Sequence, residues 1–278
     1  MPIIEPILNY YTYKNNMSKQ AVLLSLAGFS MLVLSAMGHA REEIKVGLYH
    51  FPPFSITKGE QVGGLAIEML AVMNARQDKF EFIPVATSPS TRHKVLSLGR
   101  CDISMFEELE WGWENYDVDI TEPFLDGEEV YIALAKPGRD QSYFDSFDNK
   151  TMVGVKGYHY RFADFNSNQE YLQNTFNMQL TPSNLGSIKM VLQGERGDIA
   201  VVTRSFLRQY MNDHPEQKNL ILISDKIDQT YHLSAVLRKG IALDIATLNG
   251  LLKTLNEDGS FAPVWETIRV NTGELVSP

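Results

Sequence analysis

Short apolar runs alternate with amphipathic stretches along most of the chain. Residues 44–49, 80–85 and 102–106 read as strands. Between them, 65–73 has helical spacing, with Leu65, Met69, Val72 and Met73 on one face, and 91–98 reads as a helix closed by Gly99. Residues 130–135 form a further strand, ended by Pro137-Gly138. The alternation then restarts. Residues 152–155, 199–202 and 220–223 read as strands, and 168–176, 184–192 (closed by Gly194) and 205–211 as helices. Residues 232–237 are apolar and extended, and two helices, 243–255 and 261–268, follow them. Strands separated by helices imply parallel pairing through right-handed crossovers. The pattern predicts an α/β protein of two lobes, with mostly parallel sheets and two crossings between the lobes near 130–136 and 231–238.

The first forty residues have a different character. Lys19 precedes an uncharged, mostly apolar run, 21–37, and then Gly38-His39-Ala40. A positive start, an apolar centre and small residues at the cleavage positions make a secretory signal peptide, cut after Ala40. A retained anchor is the competing reading, weakened by Ser25, Gly28, Ser30 and Ser35 within a marginal span. Met17 is an alternative start. The resulting division is 1–40 as extension and signal peptide, 41–134 plus 238–278 as lobe 1, and 135–237 as lobe 2. The expected location is periplasmic, and the exported remainder is soluble and monomeric.

Composition narrows the function classes. With 44% hydrophobic and 21% charged residues, the chain is an ordinary globular protein. A net charge of −9 argues against nucleic-acid binding, which depends on Lys and Arg neutralising phosphates. The single cysteine, Cys101, excludes an internal disulfide framework and reads as a buried thiol. The charge is uneven. No Lys or Arg stands between Cys101 and Ala135, a stretch that holds eleven acids: Asp102, Glu107, Glu108, Glu110, Glu114, Asp117, Asp119, Glu122, Asp126, Glu128 and Glu129.

Four segments stand out: Ile44-Lys45-Val46-Gly47 with Phe51-Pro52-Pro53-Phe54, and Gly63-Gly64-Leu65-Ala66-Ile67-Glu68-Met69. The third is Leu98-Gly99-Arg100-Cys101-Asp102-Ile103, and the fourth runs from Ser234-Ala235-Val236-Leu237 to Glu257-Asp258-Gly259-Ser260. In this order they resemble the bacterial extracellular solute-binding proteins of family 3, the amino-acid-type periplasmic components of ABC transporters. The resemblance implies a type II periplasmic binding fold that closes on a small-molecule ligand by hinge motion. An ABC-transporter permease would be its partner, and it implies no cofactor and no metal.

The same resemblance exposes a departure. Relatives hold the ligand carboxylate with an arginine in a T-x-x-R motif; anchored on Ile120-Thr121-Glu122-Pro123-Phe124, that position is Glu114 and the threonine position is Trp111. The aspartate that meets the ligand amine would follow Gly197-Asp198-Ile199-Ala200-Val201-Val202, where Thr203 stands. A standard α-amino acid held in the standard way is therefore not expected. Carboxylates interleaved with aromatic rings, Glu107, Glu108, Trp111, Trp113 and Tyr116, suit an organic cation. Packing of the tryptophans and solvation of the glutamates is the plainer alternative.

Phe51 and Phe54 after the first strand, Arg92 at a helix start, and Tyr158 and His159 after Gly157 are further cleft candidates. Thr203 and Arg204 complete the set. If Arg92, Arg161 and Arg204 all face inward, an anionic or zwitterionic ligand becomes the reading instead.

Enzyme signatures are missing from the sequence: no G-x-S-x-G, H-E-x-x-H or G-x-x-x-x-G-K-[ST]. Glu107 and Glu108 as paired acid and base would suit a dehydratase- or lyase-like enzyme, but neighbours on a strand point to opposite faces. A stand-alone periplasmic accessory or ligand-presenting protein is the remaining alternative.

Overall fold

The computed structural model describes residues 40–194 and 196–272, so the expected signal peptide lies outside the described residues except for Ala40. The first strand, β1 (Glu42–Leu48), turns Ile44, Val46 and Leu48 inward. A short hairpin, β2 (Ile56–Lys58) and β3 (Gln61–Gly63), precedes α1 (Leu65–Arg76), which buries Leu65, Met69, Leu70 and Met73 at helical spacing. Next come β4 (Phe80–Ala86), α2 (Arg92–Ser97), β5 (Ile103–Glu107) and β6 (Val118–Ile120).

A ten-residue strand, β7 (Leu125–Leu134), leads into the second half. There, β8 (Met152–Val155), α3 (Gln169–Phe176), β9 (Gln179–Thr181), α4 (Asn184–Gln193), β10 (Ile199–Thr203) and α5 (Arg204–Asp213) follow in turn. The side chains of Asn168 and Ser183 cap α3 and α4 by accepting from the Tyr171 and Gly186 amides. Gly194 ends α4 in the left-handed conformation. An eighteen-residue strand, β11 (Ile221–Arg238), returns to the first half, where α6 (Ile245–Glu257) and α7 (Ala262–Thr272) end the described fold.

The strands join in the order β4-β1-β5-β11-β7-β10-β8-β9, with β6 added to β11. β1 pairs in parallel with β4 and β5, and β8 in parallel with β10 and β9; pairs involving β7 or β11 are antiparallel. This is a two-lobed α/β fold in which two long strands belong to both halves. The expected lobe boundaries, 134/135 and 237/238, fall at or next to the C-terminal ends of β7 and β11. Pairing changes partner earlier: β10 engages β7 from Glu129 onward, and β5 engages β11 from Ser234 onward.

Two expected strands, 220–223 and 232–237, are one strand. Two irregularities, at 224–226 and at 228, interrupt the ladder without ending the strand, and Ser224, Asp228 and Gln229 are buried. On the second half's outer face, Val130, Ile132, Val202, Ile188, Val191 and Leu207 pack between β7, β10, α4 and α5. In the first half, Leu96, Cys101, Trp113 and Val236 form a small separate cluster. Cys101 is the buried thiol expected, and burial pushes its pKa up to about 12.

Candidate functional site

Open α/β sheets offer strand carboxyl ends and the loops after them as ligand sites. Here the two halves bring such ends together. Tyr49 and Phe51 follow β1, Arg92 begins α2 after β4, and Trp111 follows β5. Gly157, Tyr158 and His159 follow β8 from the other side. Glu129 on β7 and Gln229 on β11 form the floor, paired across the strands with each other, and Glu129 also pairs with Thr203 of β10. Together Tyr49, Phe51, Arg92, Trp111, Glu129, Gly157, Tyr158, His159 and Gln229 enclose a cavity of about 10 Å³, room for a single water.

Aromatic rings supply the walls. Phe51 stacks on Tyr49 at 5.7 Å and meets Trp111 and Tyr158 edge-on at 6.0 and 5.6 Å. Their polar ends are occupied: the Tyr49 hydroxyl donates to the Phe106 carbonyl (3.1 Å), Tyr158 to the His50 carbonyl (2.8 Å), and Trp111 Nε1 to Gln229 Oε1 (3.0 Å). Gln229 Nε2 in turn donates to the His159 carbonyl at 2.6 Å. The Tyr158 bond, and those of Arg92 to Gly157 and His159, run from one lobe to the other.

Arg92 is 2% exposed and engaged through each of its three nitrogens. Nε lies 3.0 Å from both carboxylate oxygens of Glu107, Nη1 donates to the carbonyls of Pro89 and Gly157, and Nη2 donates to His159 Nδ1 at 3.2 Å. Because a guanidinium only donates, His159 Nδ1 accepts and the ring is neutral. Burial, with Arg92 and His93 nearby, pushes the His159 pKa down to about 2; burial and Arg92 push His93 down to about 4. Glu107 is itself fully buried and held by the Ser104 hydroxyl at 2.7 Å. Burial raises its pKa, and Arg92 opposes that rise.

Glu129 is different. It is 2% exposed; Oε1 accepts from the Thr203 hydroxyl at 3.1 Å, while Oε2 has no hydrogen-bond partner. Burial first, then the nearby Asp228 carboxylate, raises its pKa to about 8, against the Thr203 bond that lowers it. Asp228 is better supplied, accepting from the Tyr131 hydroxyl and from the Arg161 and Phe162 amides.

A stability prediction follows from Glu129. Its folded pKa lies above the unfolded value, so the native state retains a proton that the unfolded chain releases, and stability falls as pH rises from about 4.5 to 8. The slope reaches roughly 1.4 kcal/mol per pH unit. Thermal unfolding of the ligand-free protein between pH 5 and 9 should show this loss, and Glu129→Gln should flatten it. Equal slopes in both proteins would contradict the assignment.

Of the residues expected at the site, Phe51, Arg92, Trp111, Tyr158 and His159 line the cavity. Phe54 is buried behind Phe51, with ring centroids 5.0 Å apart. Glu107 sits behind Arg92 as its counter-ion, so it is not an open seat for a cation. Glu108 is partly exposed and accepts from the His232 amide at 2.7 Å. Thr203 lies beneath Glu129. Arg204 pairs with Glu128 away from the cavity lining. The inward trio of arginines does not form, since Arg161 is 58% exposed beside Glu110. Trp113 is a core residue of the first half. Tyr49, Glu129 and Gln229 join the cavity although sequence reasoning did not select them.

The acidic stretch also reads differently in space. Asp102 pairs with Arg238, Glu107 with Arg92, Glu110 with Arg161, Asp117 and Asp119 with Lys239, Asp126 with His232 and Glu128 with Arg204. Seven of the eleven acids thus meet bases supplied from outside the stretch.

No family model matches the chain, and no curated protein matches it by sequence. Solved structures do match. A histidine-bound substrate-binding protein of an ABC uptake transporter from Streptococcus pneumoniae superposes with a TM-score of 0.66 at 17% identity, covering 84% of this chain and 94% of that one. An ABC-transporter binding component from Wolinella succinogenes, complexed with lysine, gives 0.62 at 19% identity, covering 82% and 95%. A mutant of ArgBP from T. maritima gives 0.63 at 17% identity, covering 84% and 96%. At these identities the likeness is one of fold.

Proposed function

We propose that this chain is an exported solute-binding protein, a non-catalytic carrier whose lobes close on a small polar ligand and present it to an ABC importer. The observation that carries the reading is the cavity itself: strand carboxyl ends of both lobes converge on it, and its polar groups bridge the lobes. Such a molecule works by shifting between open and closed populations, and the ligand supplies the difference. Among the described residues no helix is long and apolar enough to cross a membrane.

The ligand is not a standard α-amino acid in the usual clamp. Glu114 at the expected arginine position is exposed, Arg92 is occupied by Glu107 and by backbone carbonyls, and Thr203 replaces the amine-binding aspartate.

The test is a thermal-shift screen of residues 41–278 with amines, amino acids and organic acids. A ligand at a hundred times its Kd stabilises by about 2.7 kcal/mol, or roughly 5–11 °C for a domain of this size. No response to any class would favour the accessory-protein reading, in which the lobes are held shut by their own side chains.

A further inference from the structure

We propose that Glu129 anchors a small organic cation, an ammonium compound lacking a carboxylate, and that the cation takes the place of the Glu129 proton. The inference rests on the solute-binding reading and names the ligand class for the same cavity.

Four observations lead to it. First, the other buried polar side chains of the lining are bonded to protein atoms, whereas Glu129, which also lines the cavity, keeps a buried Oε2 without a partner. Second, the carboxylate is held in place from behind. Asn184 Nδ2 donates to Thr203 Oγ1 at 3.0 Å, and the Thr203 hydroxyl donates to Glu129 Oε1. A polar group oriented by such a relay is preset for a ligand. Third, the walls include the rings of Phe51, Trp111 and Tyr158, whose π systems attract a desolvated cation, while the Tyr49 ring already carries the Arg92 guanidinium at 5.0 Å. Fourth, Arg92 and Glu107 cancel one another, which leaves Glu129 to set the charge of the site and leaves no free arginine for an anion.

The groups facing Glu129 come from every element around it. Asp228 lies on β11, Thr203 on β10, and Tyr158, His159 and Tyr160 lie after β8. Tyr49 stands beyond β1 and Arg92 at the start of α2. Asp228 repels a charge on Glu129, and His159 is neutral. Without ligand at neutral pH, Glu129 is therefore a protonated acid. When an ammonium ion enters, the carboxylic O–H bond breaks, its proton passes to solvent, and the carboxylate accepts an N–H or faces the cationic centre directly. One cation enters and one proton leaves, so with a monocation the net charge of the complex is unchanged. The lobes must part for entry, because the closed cavity has room for one water only.

Calorimetry on residues 41–278 tests this, with ethanolamine, putrescine and choline as cationic probes and glycerol and lactate as neutral and anionic counterparts. Titrations at pH 7 in two buffers of different ionisation enthalpy count the protons. The expected result is binding of at least one cation with nearly one proton released, and affinity rising about tenfold per pH unit between pH 5 and 7. Glu129→Gln should weaken that binding at least about 30-fold and abolish the release. Cation binding without proton release, or equally tight in the variant, overturns the inference. So does binding of glycerol or lactate in place of the cations, which leaves the solute-binding reading standing. If neither these probes nor the wider solute screen produces binding, both fall. Should the variant not fold, the proton count in the parent protein decides.

Discussion

Gly157→Ala is expected to give a folded protein whose lobes no longer close fully. Gly157 has φ +84°, a region that side chains disfavour, and its carbonyl accepts from Arg92 across the cleft. A Cβ there would lie 2.6 Å from both the backbone nitrogen and the hydroxyl of Ser90, in the loop before α2, and 2.9 Å from the Pro89 carbonyl carbon. Backbone cannot rotate out of the way as a flexible side chain can. Relief comes from parting the lobes, which breaks the Arg92 and Tyr158 bridges. At about 1 kcal/mol for each lost hydrogen bond, ligand affinity should fall on the order of 30-fold or more. Small-angle scattering with saturating ligand should show a larger radius of gyration than the parent. Identical scattering and affinity would mean that the lobes do not approach this closely in solution.

Arg92→Ala should be the most damaging single change to stability. It removes one partner of a fully buried ion pair and leaves Glu107 without compensation, a loss of about 3–5 kcal/mol. For a domain of this size that lowers Tm by roughly 6–20 °C. The deficit has a pH signature. Burial already raises the Glu107 pKa, and without Arg92 the rise is unopposed. An acid whose folded pKa exceeds its unfolded value favours the native state at low pH and loses that support as pH rises through the interval. The variant should therefore suffer less at pH 5 than at pH 8, and adding Glu107→Gln should recover part of the loss. Thermal unfolding of both variants at the two pH values checks this. A deficit below about 1 kcal/mol, or one independent of pH, would show that the pair is not closed as described.

The sequence carried the fold in its alternation, and the misreadings have a common origin. β1, β4, β5, β8 and β10 lie within a residue or two of their expected positions: β5, β8 and β10 are buried on both faces and read as continuous runs, while β1 and β4 begin with buried and exposed residues in alternation. β7 begins at Leu125 rather than 130, since Asp126, Glu128 and Glu129 hid its first half. β11 looked like two strands for the same reason. β2, β3, β6 and β9 are three residues each, too short for a period to register.

Site residues were legible where they stand just beyond a strand end, as Phe51, Tyr158 and His159 do. Glu129 was not, because a charged residue in an acidic run was assigned to the general surplus. Period-two spacing from Tyr131 and Ala133, which face the main core, would have turned Glu129 inward with them. The pairing of Arg92 with Glu107 had no signal at all in the sequence, because nothing local joins a helix start to the end of a strand fifteen residues away.

The seven paired acids of the 101–135 stretch have a consequence for the order in which the molecule can be assembled. With the exception of Arg92, their basic partners lie between Arg161 and Lys239. The strand that completes the first lobe's sheet, β11, arrives at residues 221–238. When the leading half of the chain emerges from the ribosome, it is a polyanion with an open sheet edge. Apart from Arg92, neither its counter-charges nor its last strand has yet been delivered. The first lobe's sheet is thus completed by a strand that lies beyond all the other elements of the second lobe in the sequence.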